Sequence, residues 1–205
     1  MKKSLVLLFF VLLSCSKPGF KPEWATEKAP DIFSAKFETT KGDFEVEVKR
    51  EYSPKAVDRF YQLVKHGYYD NGMFYRVVPD FVVQFGNTDT LAMNQWRKFK
   101  VPDEPVLLPN KKGTISFARD GEESRDLELF INLVDNPKLD TTNFNEVRGF
   151  PAFGKVTKGM KIIESLYSGY GEETMEKYEG MYLNRPQFYQ AFPKLDLIQK
   201  AYIVE

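Results

Sequence analysis

The sequence predicts a mainly β fold, a closed antiparallel barrel capped by two α-helices. Two observations lead there. Stretches of alternating apolar and polar residues, or short apolar runs, recur along most of the chain and are separated by Gly, Pro and Asp turn residues. Only two segments, 54–64 and 158–167, carry a helical apolar period, and they lie far apart. No repeat period is present, so a solenoid or propeller is not the answer.

The chain opens on a processing signal. Met1-Lys2-Lys3 is basic, and Leu5 to Leu13 is an unbroken apolar run of nine residues. A membrane-spanning helix needs about twenty such residues. The run ends in Leu12-Leu13-Ser14-Cys15, which resembles a bacterial lipobox. The expectation is a signal peptide at 1–14 and a lipidated Cys15, anchored to rather than crossing the membrane. An ordinary signal peptide with an incidental cysteine is the alternative. Lipidation implies a bacterial envelope protein facing the periplasm. Ser16 is not an acidic retention residue, which favours the outer membrane. Residues 15–31 hold three prolines and several charges with little periodicity, and read as a flexible tether. Residues 32–205 are the folded domain, enough for one core.

Composition removes several chemistries. Lys+Arg and Asp+Glu are equal at 29 each, and no long basic run exists, which argues against nucleic acid as a partner. Cys15 is the only cysteine and His66 the only histidine. A zinc site built on His and Cys is not available. His66 precedes Gly67 at an apparent helix end, where it complements the helix dipole better than it serves a nucleophile. No metal or cofactor is implied.

The elements follow in order. Ser34–Thr40 and Asp43–Lys49 read as a hairpin about a Lys41-Gly42 turn, because Phe44, Val46 and Val48 alternate with charged residues. Ser53 and Pro54 start a helix on which Ala56, Val57, Phe60, Leu63 and Val64 share a face; Gly67 stops it. Met73–Val78 and Phe81–Phe85 form a second hairpin. Residues 96–109 are irregular. Gly113–Ala118, Leu127–Val134 and Pro151–Val156 read as strands. Lys158–Tyr167 is a helix ended by Gly169. Residues 171–192 are a polar, aromatic-bearing insertion, and Lys194–Val204 is the strand that closes the sheet.

The second hairpin carries the chemistry. A three-residue turn at Pro79-Asp80-Phe81 sets Arg76 opposite Gln84, with both side chains on one face. Val82 shares that face and Phe81 sits at its edge. From periodicity alone this is a surface arginine on an amphipathic strand.

The run Phe74 to Gly86 resembles the signature of the cyclophilins, Phe-x-Arg-x-x-x-x-Phe-x-x-Gln-x-Gly. The resemblance continues through Gly113–Ala118, Leu129-Phe130-Ile131, Leu139-Asp140 and Phe153–Val156. It implies a cyclophilin-like barrel and an enzyme that accelerates rotation about X–Pro peptide bonds in unfolded or extended polypeptides. By position, Arg76 resembles the catalytic arginine. Phe81, Val82, Phe130 and Leu139 resemble the proline pocket, and Gln84 the residue that orients the arginine. Ala118 and Arg119 match positions that hold extended peptide backbone. Three positions depart from the family's commonest residues: Glu128 stands for a glutamine, Lys138 for a tryptophan and Phe150 for a histidine at the pocket rim. Lys138 argues for weak binding of the family's cyclic peptide inhibitors. Glu128 is expected to pair with Arg76 or to repel acidic peptides, and it motivates a second reading, a proline-peptide-binding chaperone module with little turnover. A third is a lipid-tethered barrel for an apolar ligand, with Arg76 structural and away from any groove.

Overall fold

A computed structural model describes residues 19–87 and 89–204. The proposed signal peptide and Cys15 lie outside the described residues. Ten strands are β1 (Ile32–Thr39), β2 (Gly42–Lys49), β3 (Met73–Val77), β4 (Val82–Gly86), β5 (Thr114–Phe117), β6 (Leu129–Asn132), β7 (Asn143–Phe144), β8 (Val147–Arg148), β9 (Ala152–Lys158) and β10 (Ile198–Val204). Eight of them form one antiparallel sheet in the order β10-β1-β2-β9-β5-β6-β4-β3. The sheet is curled, but the closed barrel expected from the sequence is not confirmed, because its outer strands, β10 and β3, share no ladder among the described residues. They meet at one antiparallel bridge, Met73 to Leu197. Beside it Phe74 N–H donates to Asp196 O at 3.0 Å and Ile198 N–H to Gly72 O at 2.9 Å.

Alternation builds the core. Phe33, Ala35 and Phe37 on β1 face Val48, Val46 and Phe44 on β2, each pair in direct register. All are buried, because a one-residue slip would turn the whole set to solvent. The Phe37 and Phe44 rings stack at 4.8 Å. The β1–β2 turn falls on Thr40-Lys41, one residue earlier than expected, since Thr39 pairs with Gly42.

The helix α1 (Pro54–Lys65) lays Ala56, Val57, Phe60, Leu63 and Val64 on this core. Ser53 occupies the N-cap position but its side chain makes no cap bond. The carboxylate of Glu104 does the capping, accepting from the N–H groups of Lys55 (2.8 Å) and Ala56 (3.2 Å). At the other end Gly67 takes φ of 67°, the left-handed conformation a helix stop uses.

Three expectations are corrected, and the insertion, given no structure by the sequence, gains one. The chain has six α-helical segments among the described residues rather than two: besides α1 they are α2 (Thr90–Trp96), α3 (Met160–Glu164), α4 (Glu173–Glu176), α5 (Tyr178–Leu183) and α6 (Arg185–Ala191). The helix read at 158–167 shortens to α3, because Gly159 starts it late and Ser165 ends it. The insertion 171–192 is helical and buries Met181, Phe188 and Phe192 against Met73 and Tyr75 of β3. Residues 20–31 of the supposed tether are docked. Pro22–Thr26 form a 3₁₀ turn, and Phe20, Trp24 and Ala25 pack on the main core. Gln62 donates to Ala25 O and Glu27 O, and Ala29 N–H donates to Asp58. His66 sits at the end of α1 as expected, but it also stacks on Trp24 at 3.9 Å and meets Glu27 at 3.2 Å.

Candidate active site

A bulge shapes the site before any pocket residue does. Met73 pairs with Gly86 and Arg76 with Gln84, so β3 carries one extra residue between the two pairs. Phe74 and Val77 point into the main core, Met73 and Tyr75 into the insertion. The extra residue lets Tyr75 and Arg76 leave the sheet on the same side in succession. Arg76 thereby faces out beside Gln84 and Val82 of β4, while Val83 and Phe85 fill the core. The turn between the strands closes at Asp80, whose φ is 59°.

Arg76, Phe81, Val82, Gln84, Ala118, Arg119, Phe130, Leu139 and Phe150 line one groove of roughly 260 Å³. Small-molecule pockets run from about 300 to 1,000 Å³; this one suits a residue or two of extended chain. Phe130 is brought in by β6, where it pairs with Gln84 and with Ser116 of β5. Its ring meets Phe150 edge-on at 6.0 Å. The Arg76 guanidinium lies 5.5 Å from the Phe81 ring and donates from Nη1 to Gln84 Oε1 at 3.0 Å.

The walls are set by a buried amide chain. Asn136 donates to Phe81 O (3.0 Å) and to Asn132 Oδ1 (2.8 Å). Asn132 donates to Asn110 Oδ1 (3.1 Å) and Thr114 Oγ1 (2.9 Å). Asn110 donates to Asp140 Oδ1 and to Phe150 O, both at 2.8 Å. Phe150 N–H in turn donates to Leu139 O at 2.7 Å. Phe81, Leu139 and Phe150 are therefore fixed to one another through their backbones.

Two expected site residues differ in role. The Arg119 side chain is fully buried; its guanidinium donates to Val147 O and Gly149 O and covers the Phe150 ring at 4.8 Å. Its side chain supports the rim from within. Glu128 neither lines the groove nor meets Arg76. Its carboxyl turns beneath the insertion, where Tyr182 donates to Oε1 at 3.0 Å. The Tyr75 hydroxyl lies close by but outside hydrogen-bond geometry. Gly86 leaves room for this carboxyl; a Cβ there would collide with it. Burial pushes the Glu128 carboxyl up to about 8, against the Tyr75 and Tyr182 hydroxyls, which favour the anion. Burial also raises Tyr178, to about 12.

Four groove residues escape sequence reasoning. Asp120, Phe144 and Met175 complete the lining. Glu172 pairs with Arg76, accepting from Nε at 2.8 Å and Nη2 at 2.6 Å. Phe144 belongs to the two-stranded β7–β8 hairpin, and Glu172 and Met175 to the insertion. None lies in a periodic or motif segment.

Residues 34–185 match the family model described as cyclophilin type peptidyl-prolyl cis-trans isomerase/CLD. The chain belongs to the cyclophilin family. Peptidyl-prolyl cis-trans isomerase A of Dickeya dadantii (strain 3937) is 30% identical over 206 residues, covering 97% of both chains. Peptidyl-prolyl cis-trans isomerase cypE of Dictyostelium discoideum is 33% identical over 135 residues, covering 63% of this chain and 81% of that one. A cyclophilin-type isomerase structure from Cryptosporidium parvum superposes with a TM-score of 0.63 at 20% identity, covering 85% of this chain and 98% of that one. That last likeness speaks for the cyclophilin fold alone.

Proposed function

We propose that this cyclophilin accelerates cis–trans exchange of X–Pro bonds in the groove of Arg76, with Arg76 as the hydrogen-bond donor to the prolyl nitrogen. The observation that carries this is the convergence of Arg76 and Gln84 with Phe81, Val82, Phe130 and Leu139 around one cavity. Amide resonance sets a barrier of ~18–20 kcal/mol. In the twisted state the lone pair is localised on nitrogen and accepts a hydrogen bond, which the planar amide does not offer. A guanidinium aimed there stabilises the twisted state selectively and stays charged at any physiological pH.

One donor is not enough. A 10⁶-fold acceleration needs about 8 kcal/mol, and a single preorganised donor supplies about 3–4 kcal/mol. The rest falls to the apolar walls, which grip the pyrrolidine ring and lower the dielectric around the amide, disfavouring its charge-separated planar form. The amide chain through Asn110, Asn132 and Asn136 keeps those walls in place, so little reorganisation is needed on binding.

The test is an exchange measurement on a proline peptide with the purified chain. Acceleration over the uncatalysed rate is expected; the uncatalysed rate alone removes the enzyme reading. A binding module with little turnover is the second reading, and the ion pair on Arg76 favours it, through Glu172 rather than Glu128.

Assistance to folding of envelope proteins rests on the lipobox-like Cys15. With the chain packed from Phe20 onward, four residues, and so five Cα–Cα steps, join that cysteine to the domain. At ~3.6 Å per residue the reach is at most about 18 Å. A lipidated chain would hold its domain close to the bilayer surface. Cys15→Ser should abolish lipid labelling and release the protein from the membrane fraction.

A further inference from the structure

The insertion reaches into the groove twice. Glu172, at the start of α4, grips Arg76 as a two-pronged fork, and Met175, three residues on, joins the groove lining. Nη1 already serves Gln84. Three of the five guanidinium N–H groups are thus taken, which leaves two. The pair neutralises the charge that catalysis would use. It is also displaceable, since the Glu172 side chain is 58% exposed. The helix carrying it is held in place by Thr174, which is 1% exposed, and by contacts to β3.

The surroundings of Arg76 favour cations. Asp120 lines the same groove, whereas Glu173 and Glu176 on α4 do not. The other guanidinium nearby, on Arg119, is buried, bonds two backbone carbonyls through Nη2 and lies 3.5 Å from Asp103.

We propose that Glu172 selects substrates: it holds Arg76 in the peptide-free protein and releases it to peptides that carry a cationic side chain beside the proline. This rests on the isomerase reading. Only the guanidinium separates Glu172 from the prolyl nitrogen, so its carboxylate lies within reach of a flanking side chain. A Lys or Arg there gives the carboxylate a new partner as Arg76 turns to the amide. A neutral neighbour leaves the fork to be broken without replacement, and an acidic one is repelled. Partly exposed ion pairs are weak, so the preference should be of the order of threefold to tenfold.

The experiment compares the purified chain with Glu172→Gln and Glu173→Gln on three peptides that differ only in Lys, Ala or Glu immediately before proline. The wild-type chain should prefer Lys over Glu by about tenfold in kcat/KM. Glu172→Gln should flatten the series by raising the Ala and Glu peptides, whereas Glu173→Gln, the same charge change without the fork, should keep it. The proposal is overturned by a preference that survives Glu172→Gln, by an equal loss under Glu173→Gln, or by a uniform fall in kcat under Glu172→Gln, which would make Glu172 an orienting residue. Acceleration with no preference in the wild-type chain sinks this inference alone. No acceleration by either wild type or Glu172→Gln sinks the isomerase reading and the inference with it.

Discussion

Arg76 donates through Nη1 to Gln84 Oε1 at 3.0 Å across a register pair that the β3 bulge aims at the groove. The bond fixes one side of the guanidinium and leaves its direction set by the sheet. Arg76→Ala should lower kcat/KM by about 10²- to 10³-fold, the usual loss for one preorganised donor. Thermal stability should change little, because the pair it breaks is partly exposed, with most of the Glu172 side chain in solvent. Arg76→Lys should recover little activity, since an ammonium cannot reproduce the fork geometry. Exchange rates and a melting curve on the same samples check both points; a variant that melts early and loses activity in proportion would make Arg76 structural.

The hairpin pairing behind that prediction was legible in the sequence, and so were β1, β2 and α1. Each has a strict period and a turn or cap residue at its end. The groove lining was legible through Arg76, Phe81, Gln84, Phe130 and Leu139, because a spaced motif survives where periodicity is silent. Three features were not. The bulge inverts Tyr75 without altering its composition. Phe20 and Trp24 dock without any period, in a Pro-led 3₁₀ turn, so their packing depends on where α1 presents its outer face. Glu128 reads as a groove residue by position, yet its burial depends on Tyr182, 54 residues away. Such contacts are set by tertiary placement alone.

The amide chain makes a second prediction. Asn132 is fully buried and hydrogen-bonded to Asn110 and Asn136 on either side. Asn132→Ala would leave the buried Asn110 Oδ1 short of its donor, at about 1–3 kcal/mol, and would take one acceptor from the half-buried Asn136. Phe81 and Leu139 would then lose their fixed spacing. KM should rise more than kcat falls, and the urea midpoint should drop. Unchanged KM in a folded variant would show that the walls hold without this network.

Glu104 tests the fold away from the groove. Arg125 is fully buried and donates to Glu104 at 3.2 Å and to Ser53 at 3.2 Å, while the same carboxylate caps α1. Without Glu104, Arg125 keeps Pro102 O and Asp103 at 3.5 Å, so its charge is not left alone. Glu104→Ala should lower unfolding free energy by about 2–3 kcal/mol, the worth of the lost bonds to a charged group, read by urea titration. Glu104→Gln keeps one acceptor for the helix end and should lose less. Equal losses would assign the whole effect to the charge lost beside Arg125.

The buried carboxyl of Glu128 gives the chain a pH dependence with a definite sign. Its folded value of about 8 lies above the ordinary 4.5, because burial penalises the anion more than the Tyr75 and Tyr182 hydroxyls help it. Between those values the unfolded chain has released the proton and the folded chain keeps it. Unfolding then releases a proton, so this group's contribution to stability is full below about 4.5 and is lost as pH rises through about 8. Holding a proton that the unfolded chain has lost changes stability by ~1.4 kcal/mol for every pH unit crossed, so a few kcal/mol are at stake. Glu128→Gln has the same shape and no charge to lose; its amide can donate toward the Tyr75 hydroxyl, and its oxygen can still accept from Tyr182. The variant should gain stability over the wild-type chain progressively from pH 5 to pH 8.5, by a few kcal/mol over that range. Urea titrations of both chains at three pH values measure the difference directly, free of the other carboxylates they share. A difference that stays flat with pH would mean that the Glu128 carboxyl ionises in the folded chain as readily as in the unfolded one.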